Sequence, residues 1–131
     1  MKINHIGIVV KNIEESIRYY ETCFEFDFDG AIYEDAIQKV RIAFVNLPNQ
    51  NLKFELLEPL TEDSPVMNAL RKGGGLNHIC YEVQNIKQAI QSLLDSGNRL
   101  ISGPTPAIAF QNRNIAFIYT KQREIVELLQ V

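Results

Sequence analysis

Along residues 3–10, Ile3, His5, Gly7 and Val9 share one parity while Asn4, Ile6, Ile8 and Val10 share the other. Both sets are largely apolar, which predicts a strand buried on both faces. Asn12 then precedes Ile13-Glu14-Glu15, a capping-box pattern in which the Asn side chain accepts from an early helical N–H. Ile13, Ile17 and Tyr20 follow at helical spacing, so this helix can lay one apolar face on a sheet. Shorter apolar runs come next, at Phe26 to Ala31, Lys39 to Leu47 and Leu52 to Leu57. The unit reads as strand, helix, three strands.

The same order recurs further along. Sliding the chain by 73 positions lays His5 on His78 and matches Asn4 with Asn77, Ile6 with Ile79, Val10 with Val83, Asn12 with Asn85, and Ile17 with Ile90. Ile42-Ala43-Phe44 falls on Ile115-Ala116-Phe117, and one residue out of register Glu55-Leu56-Leu57 falls on Glu127-Leu128-Leu129. Asn85 and Gln88 repeat the helix cap, and Gly97 is placed to end that helix. Strands are expected at Arg99 to Ile101, Asn114 to Thr120 and Glu124 to Leu129. The chain is therefore a duplication, with module one at 1–60, module two at 76–131, and a linker at 61–75. In the linker, Ser64-Pro65 predicts a helix start, and Gly73-Gly74-Gly75 a stop and flexible hinge. The stretch from Ser102 to Asn114 is expected as a long connection, either a lid or a plain surface loop.

Composition narrows the function classes. With 131 residues, 46% of them hydrophobic, one compact domain of two modules is expected. A net charge of −3 offers no basic stripe for nucleic acid. No apolar run reaches membrane-spanning length, and Met1-Lys2 leads straight into a strand pattern, so a soluble cytoplasmic protein is expected. Cys23 and Cys80 lie in unrelated contexts and read as two reduced thiols.

His5 and His78 are the only histidines, and they occupy equivalent positions. If a pseudo-twofold rotation relates the modules, His5 meets His78 and Glu55 meets Glu127, bringing two imidazoles and two carboxylates to one point. Such mixed donors suit divalent Zn, Ni, Co, Mn or Fe, with one or two positions left for water or substrate. The plainer reading has both glutamates lining a solvated strand face, which leaves the matched histidines unexplained.

Paired modules with His in the first strand and Glu in the last resemble the vicinal oxygen chelate (glyoxalase/bleomycin resistance/dioxygenase) superfamily. The resemblance implies an α+β fold: two paired βαβββ modules forming a cupped, mostly antiparallel eight-stranded sheet around one divalent ion, Zn, Ni, Co or Mn. His5, Glu55, His78 and Glu127 fall in its ligand positions, and a homodimer is expected. Glu55-Leu56-Leu57-Glu58-Pro59-Leu60, the following Glu62-Asp63-Ser64-Pro65, and Asn77-His78-Ile79 after the glycines are most similar to the methylmalonyl-CoA epimerase branch and small bacterial glyoxalase I-like proteins. There are departures. Epimerases typically carry Gln where Glu55 stands, whereas glyoxalase I commonly carries Glu, and Arg41 is read at the place of the epimerases' second carboxylate. Val9 stands where glyoxalase I often has a glutathione-binding Arg, and Lys121-Gln122-Arg123 replaces its usual DPDG turn.

The chemistry implied is removal of a proton next to a carbonyl, giving an enolate whose oxygen the metal holds. Glu127 is the first candidate base and Glu55 the second. Arg41, Lys39, Arg113 and Lys53 are candidates to hold an anionic substrate end. The substrate expected is an acyl-CoA thioester, with glyoxalase I-like (lactoylglutathione lyase) isomerisation of a thiol hemithioacetal as the alternative. A non-catalytic binding or resistance protein is the second alternative.

Overall fold

The computed structural model describes residues 1–131. Its elements are β1 (Lys2–Val9), α1 (Ile13–Phe24), β2 (Asp27–Asp35), β3 (Val40–Leu47), β4 (Leu52–Pro59), α2 (Met67–Arg71), β5 (Gly75–Val83), α3 (Ile86–Asp95), β6 (Arg99–Ala107), a 3-10 turn at Ile108–Phe110, β7 (Arg113–Tyr119) and β8 (Ile125–Gln130). The fold is α+β, and the eight strands form a mixed sheet in the order β2-β3-β4-β1-β5-β8-β7-β6. Contacts divide the chain into two compact units, His5–Asn77 and Met1–Asn4 with His78–Val131.

In the His5–Asn77 unit, β1 runs parallel to β4, while β2, β3 and β4 pair antiparallel in sequence order. Asn12 Oδ1 accepts the N–H of Glu15 at 3.0 Å, satisfying one of the donors a helix start leaves open. Ile13 and Ile17 of α1 then pack on Ile8, Ala43, Val45 and Leu56, an apolar layer on one face of the four strands. Burial of such side chains stabilises by about 1.5–3 kcal/mol each.

The His78–Val131 unit repeats the plan. β5 is parallel to β8, and β6, β7 and β8 pair antiparallel. Asn85 Oδ1 accepts from Gln88 N at 3.1 Å. Ile86 and Ile90 of α3 pack on Val83, Ala116, Ile118 and Leu128. Gly97 follows the end of α3 at φ +89°, the left-handed region that a glycine enters without cost.

Three expectations need correction. β6 runs on through Ser102-Gly103-Pro104-Thr105-Pro106 to Ala107, with register shifts against β7, so this stretch is a strand rather than a lid or free loop. β6 is the last strand in the sheet order, where a proline's missing N–H leaves no ladder bond unmade. The linker helix is the five-residue α2, and Ser64 supports the turn before it, its Oγ accepting from Val66 N at 3.4 Å. Gly73 and Gly74 close that turn through bonds to Leu70 and Ala69, and Gly75 already begins β5, so the hinge is a defined turn. A Cβ at Gly74 would lie 2.7 Å from the Val9 carbonyl oxygen, which explains why glycine stands there.

Candidate metal centre

β1 turns Ile6 and Ile8 toward α1 and His5, Gly7 and Val9 to the other face. Gly7 lies opposite Glu55 in the parallel β1–β4 ladder, so Glu55 stands one strand over from His5 on the same face. The His5 Nε2 to Glu55 Oε1 distance is 3.4 Å. Phe44 of β3 lies opposite Glu55, and its ring meets the His5 imidazole edge-on at 5.9 Å.

The second unit carries the same device. Cys80, two residues after His78, lies opposite Glu127 in the β5–β8 ladder. His78 Nε2 is 2.9 Å from Glu127 Oε2. Phe117, opposite Glu127 on β7, meets the His78 ring edge-on at 5.6 Å. The repeated Ile-Ala-Phe of the sequence thus supplies the aromatic wall of each pair, a role that the sequence comparison left unassigned.

Burial decides between the two readings of the glutamates. Glu55 is 3% and Glu127 1% exposed, with His5 at 0% and His78 at 5%, so none of them lines a solvated face. A buried carboxylate is costly without a compensating charge, and each unit buries one of them against an imidazole. Each of the four residues offers one ligand atom, and these atoms lie within 4.8 Å of one another, a group that could hold a metal ion. Four ligands about 2.1 Å from an ion stand roughly 3.0–4.2 Å apart, and two imidazoles with two carboxylates are donors that suit a divalent ion.

The proposed anion-holding residues divide. Arg41 faces the α1 side of β3, between Val40 and Ile42, and is bound by Glu14 Oε1 and Glu58 Oε2, each at 2.7 Å. Those carboxylates push its guanidinium pKa up, and Arg41 lowers that of Glu14 through their hydrogen bond. It therefore lies on the face of β3 opposite to the one that Phe44 and Glu55 share. The residue that β3 presents there is Ile42, next to Phe44 in that face's alternation. Lys39, at the β2–β3 turn, is taken up by Asp63, whose carboxyl pKa it lowers. Arg113 opens β7 and donates from Nε to the Phe110 carbonyl at 3.1 Å. Lys53 alone of the four shares the Glu55 face of β4 close by, with its Nζ 5.2 Å from the Phe44 ring centroid.

Residues 4–117 match the family model of the Glyoxalase/Bleomycin resistance protein/Dioxygenase superfamily, and the chain belongs to that superfamily. Within it, the chain is 36% identical over 131 residues to the mitochondrial methylmalonyl-CoA epimerase of Dictyostelium discoideum, covering 97% of this chain and 76% of that one. It is 34% identical over 134 residues to the ethylmalonyl-CoA/methylmalonyl-CoA epimerase of Cereibacter sphaeroides, covering 99% and 98% respectively. Among solved structures, a hypothetical protein from Bacillus halodurans C-125 superposes with a TM-score of 0.86 at 29% identity, covering 99% of this chain and 94% of that one. No helix is long and apolar enough to cross a membrane.

Proposed function

We propose that this chain is a divalent-metal-dependent epimerase acting on methylmalonyl-CoA or a closely similar 2-substituted malonyl thioester. The observation that carries the reading is the matched pair of buried His–Glu contacts, one from each module, in a chain that aligns end to end with named epimerases of this substrate class. The hemithioacetal alternative draws only on Glu55, and the non-catalytic alternative gives no reason to bury two carboxylates.

His5, Glu55, His78 and Glu127 would hold the ion, here Zn, Ni, Co or Mn. When bound, the ion supplies positive charge that favours negative charge developing on the substrate carbonyl oxygen during proton removal. The carbon between thioester and carboxylate carries the reacting hydrogen. Glu127 takes that proton as base, and the 2.9 Å contact to His78 fixes the direction of its carboxylate. Epimerisation then needs a proton delivered to the opposite face. Since β3 offers the alkyl side chain of Ile42 rather than an acid on this face, Glu55 is assigned that delivery, relaying a proton from water to the carbon, while Glu127 releases the proton it took to solvent as the cycle closes. Lys53 is assigned the free carboxylate of the substrate, and Phe44 and Phe117 exclude water and hold the imidazoles in place.

The homodimer belongs to the same proposal and is read by light scattering. The function itself is tested by loading purified protein with each metal in turn and comparing turnover of methylmalonyl-CoA with that of methylglyoxal hemithioacetal. Turnover of the thioester alone supports the reading. Turnover of the hemithioacetal alone replaces it with the isomerase.

A further inference from the structure

Glu55 is 3% exposed, so a proton that it hands to the substrate carbon has to be brought to it from solvent by a carrier. The carriers available are set by the face on which Glu55 stands. Beside it β3 presents Val40, Ile42 and Phe44, and β4 presents Leu57 and Pro59, all hydrocarbon without an exchangeable proton. Lys53, the neighbour on the other side, is assigned to the substrate carboxylate. The next strand outward is β2.

In the β2–β3 ladder Tyr33 lies opposite Ile42 and Asp35 opposite Val40, so both share the Glu55 face. Tyr33 carries the one hydroxyl that β1, β2, β3 and β4 turn to this face. Its ring meets Phe44 edge-on at 6.4 Å, as Phe44 meets His5 at 5.9 Å. The side chain is half-buried, and its hydroxyl has no hydrogen-bond partner in the protein. Two strand spacings across and two residues along put the Tyr33 and Glu55 Cα atoms roughly 12 Å apart. A phenol and a glutamate side chain reaching toward each other close that gap to about the width of one water.

Asp35 supplies a second, independent observation. It is 3% exposed, and its Oδ1 accepts the N–H groups of Ile37 and Gln38, each at 2.9 Å. Its Oδ2 is buried with no partner at all. A buried acceptor is costly unless a donor meets it, and the turn uses only Oδ1. Asp35 follows Tyr33 by two residues, about 6.6 Å along one strand face, close enough for one water to bond both side chains.

We propose that Tyr33 is the relay residue that resupplies Glu55 with its proton, and that Asp35 holds the water that feeds Tyr33. The inference rests on the epimerase reading above and adds the route by which the opposite-face proton arrives. Protonated Glu55 gives its proton to the carbon. The Tyr33 O–H then gives its proton through a bridging water to the Glu55 carboxylate, and the water on Asp35 Oδ2 restores the phenol from solvent. Only O–H and C–H bonds change, and the proton taken in balances the one that Glu127 releases. Tyr33 acts through Glu55 and meets no reacting atom.

The test uses metal-loaded protein and one epimer of methylmalonyl-CoA in deuterium oxide. Two rates are followed: appearance of the opposite epimer, which needs the Glu55 side, and entry of deuterium into the starting epimer, which needs only Glu127. Tyr33→Phe keeps the ring against Phe44 and removes the hydroxyl. Expected is a fall of roughly tenfold or more in inversion, with exchange in the starting epimer held within about twofold. Asp35→Asn keeps Oδ1 for the turn, puts a donor in place of the unpartnered acceptor, and should move the same ratio in the same direction. An unchanged ratio in either variant, whether both rates hold or both fall together as a structural role would make them, overturns the proposal. Native protein that binds metal yet neither exchanges nor inverts removes the epimerase reading, and the relay with it. The placement of Tyr33 is read without turnover: in fluorotyrosine-labelled protein, bound Mn(II) should broaden the fluorine signal that Tyr33→Phe deletes. A Tyr33 signal untouched by the ion rejects the route.

Discussion

His78 and Glu127 sit on adjacent parallel strands with imidazole Nε2 2.9 Å from carboxylate Oε2, both side chains closed off from solvent. His5 and Glu55 form the corresponding contact at 3.4 Å. On the proposed reading Glu127 is the base that removes the proton. Replacing Glu127 by Gln keeps the shape and a ligand oxygen but removes the proton acceptor. Turnover of methylmalonyl-CoA should fall by roughly 10²–10⁴-fold, while metal retained after gel filtration, measured by mass spectrometry, falls far less. Near-native turnover in this variant would move the role to Glu55.

Removing metal should also loosen the fold, because two buried carboxylates then lose their balancing charge. An ion present at a hundred times its Kd adds about 2.7 kcal/mol to the stability of a protein that binds it only when folded. A melt followed by circular dichroism should shift down by several degrees on exhaustive chelation and recover on adding the ion. An unchanged melting temperature would mean that the four residues do not bind it.

The core beneath the site makes a demand of its own. Leu128 is fully buried against Ile86, Ile90 and Ile118, on the α3 face of the strand whose other face carries Glu127. Leu128→Ala should cost about 2–5 kcal/mol, and Asn85→Ala, which removes a helix cap, about 1 kcal/mol. Urea unfolding midpoints measure both.

Arg41 and Glu14 give a pH dependence with a defined sign. The hydrogen bond from Arg41 lowers the Glu14 pKa in the folded chain. A depressed carboxyl pKa contributes stability that is fully present above its unfolded value, about 4.3, and fades as the pH falls through the lower folded value. Glu14→Gln should therefore unfold more easily than the native protein at neutral pH, with the difference closing in acid. A difference that persists or grows as the pH falls would contradict the ion pair.

Much of this was legible in the sequence. The repeated Asn-His, the repeated Ile-Ala-Phe and the two asparagine caps give both modules, and His5, His78, Glu55 and Glu127 follow from one alignment of the chain with itself. The face that Arg41 occupies was not legible because β3 is apolar on both faces: Ile42 and Phe44 match Ala43 and Val45 in character, so parity alone cannot tell which face holds the site. Only the cross-strand register, Phe44 opposite Glu55, decides it. Pro104 and Pro106 hid β6 for a related reason, since the same residues that end a central strand are tolerated in an edge strand.

The central claim, that Glu127 and Glu55 move a proton off and onto the carbon beside a thioester, is tested most directly in deuterium oxide. Metal-loaded protein is incubated with one epimer of methylmalonyl-CoA and the α-hydrogen is followed by proton NMR. The account predicts that its signal decays as the opposite epimer accumulates carrying solvent deuterium, and that Glu127→Gln abolishes both changes. A persistent α-hydrogen signal and an unchanged epimer, with metal shown to be bound, would contradict it.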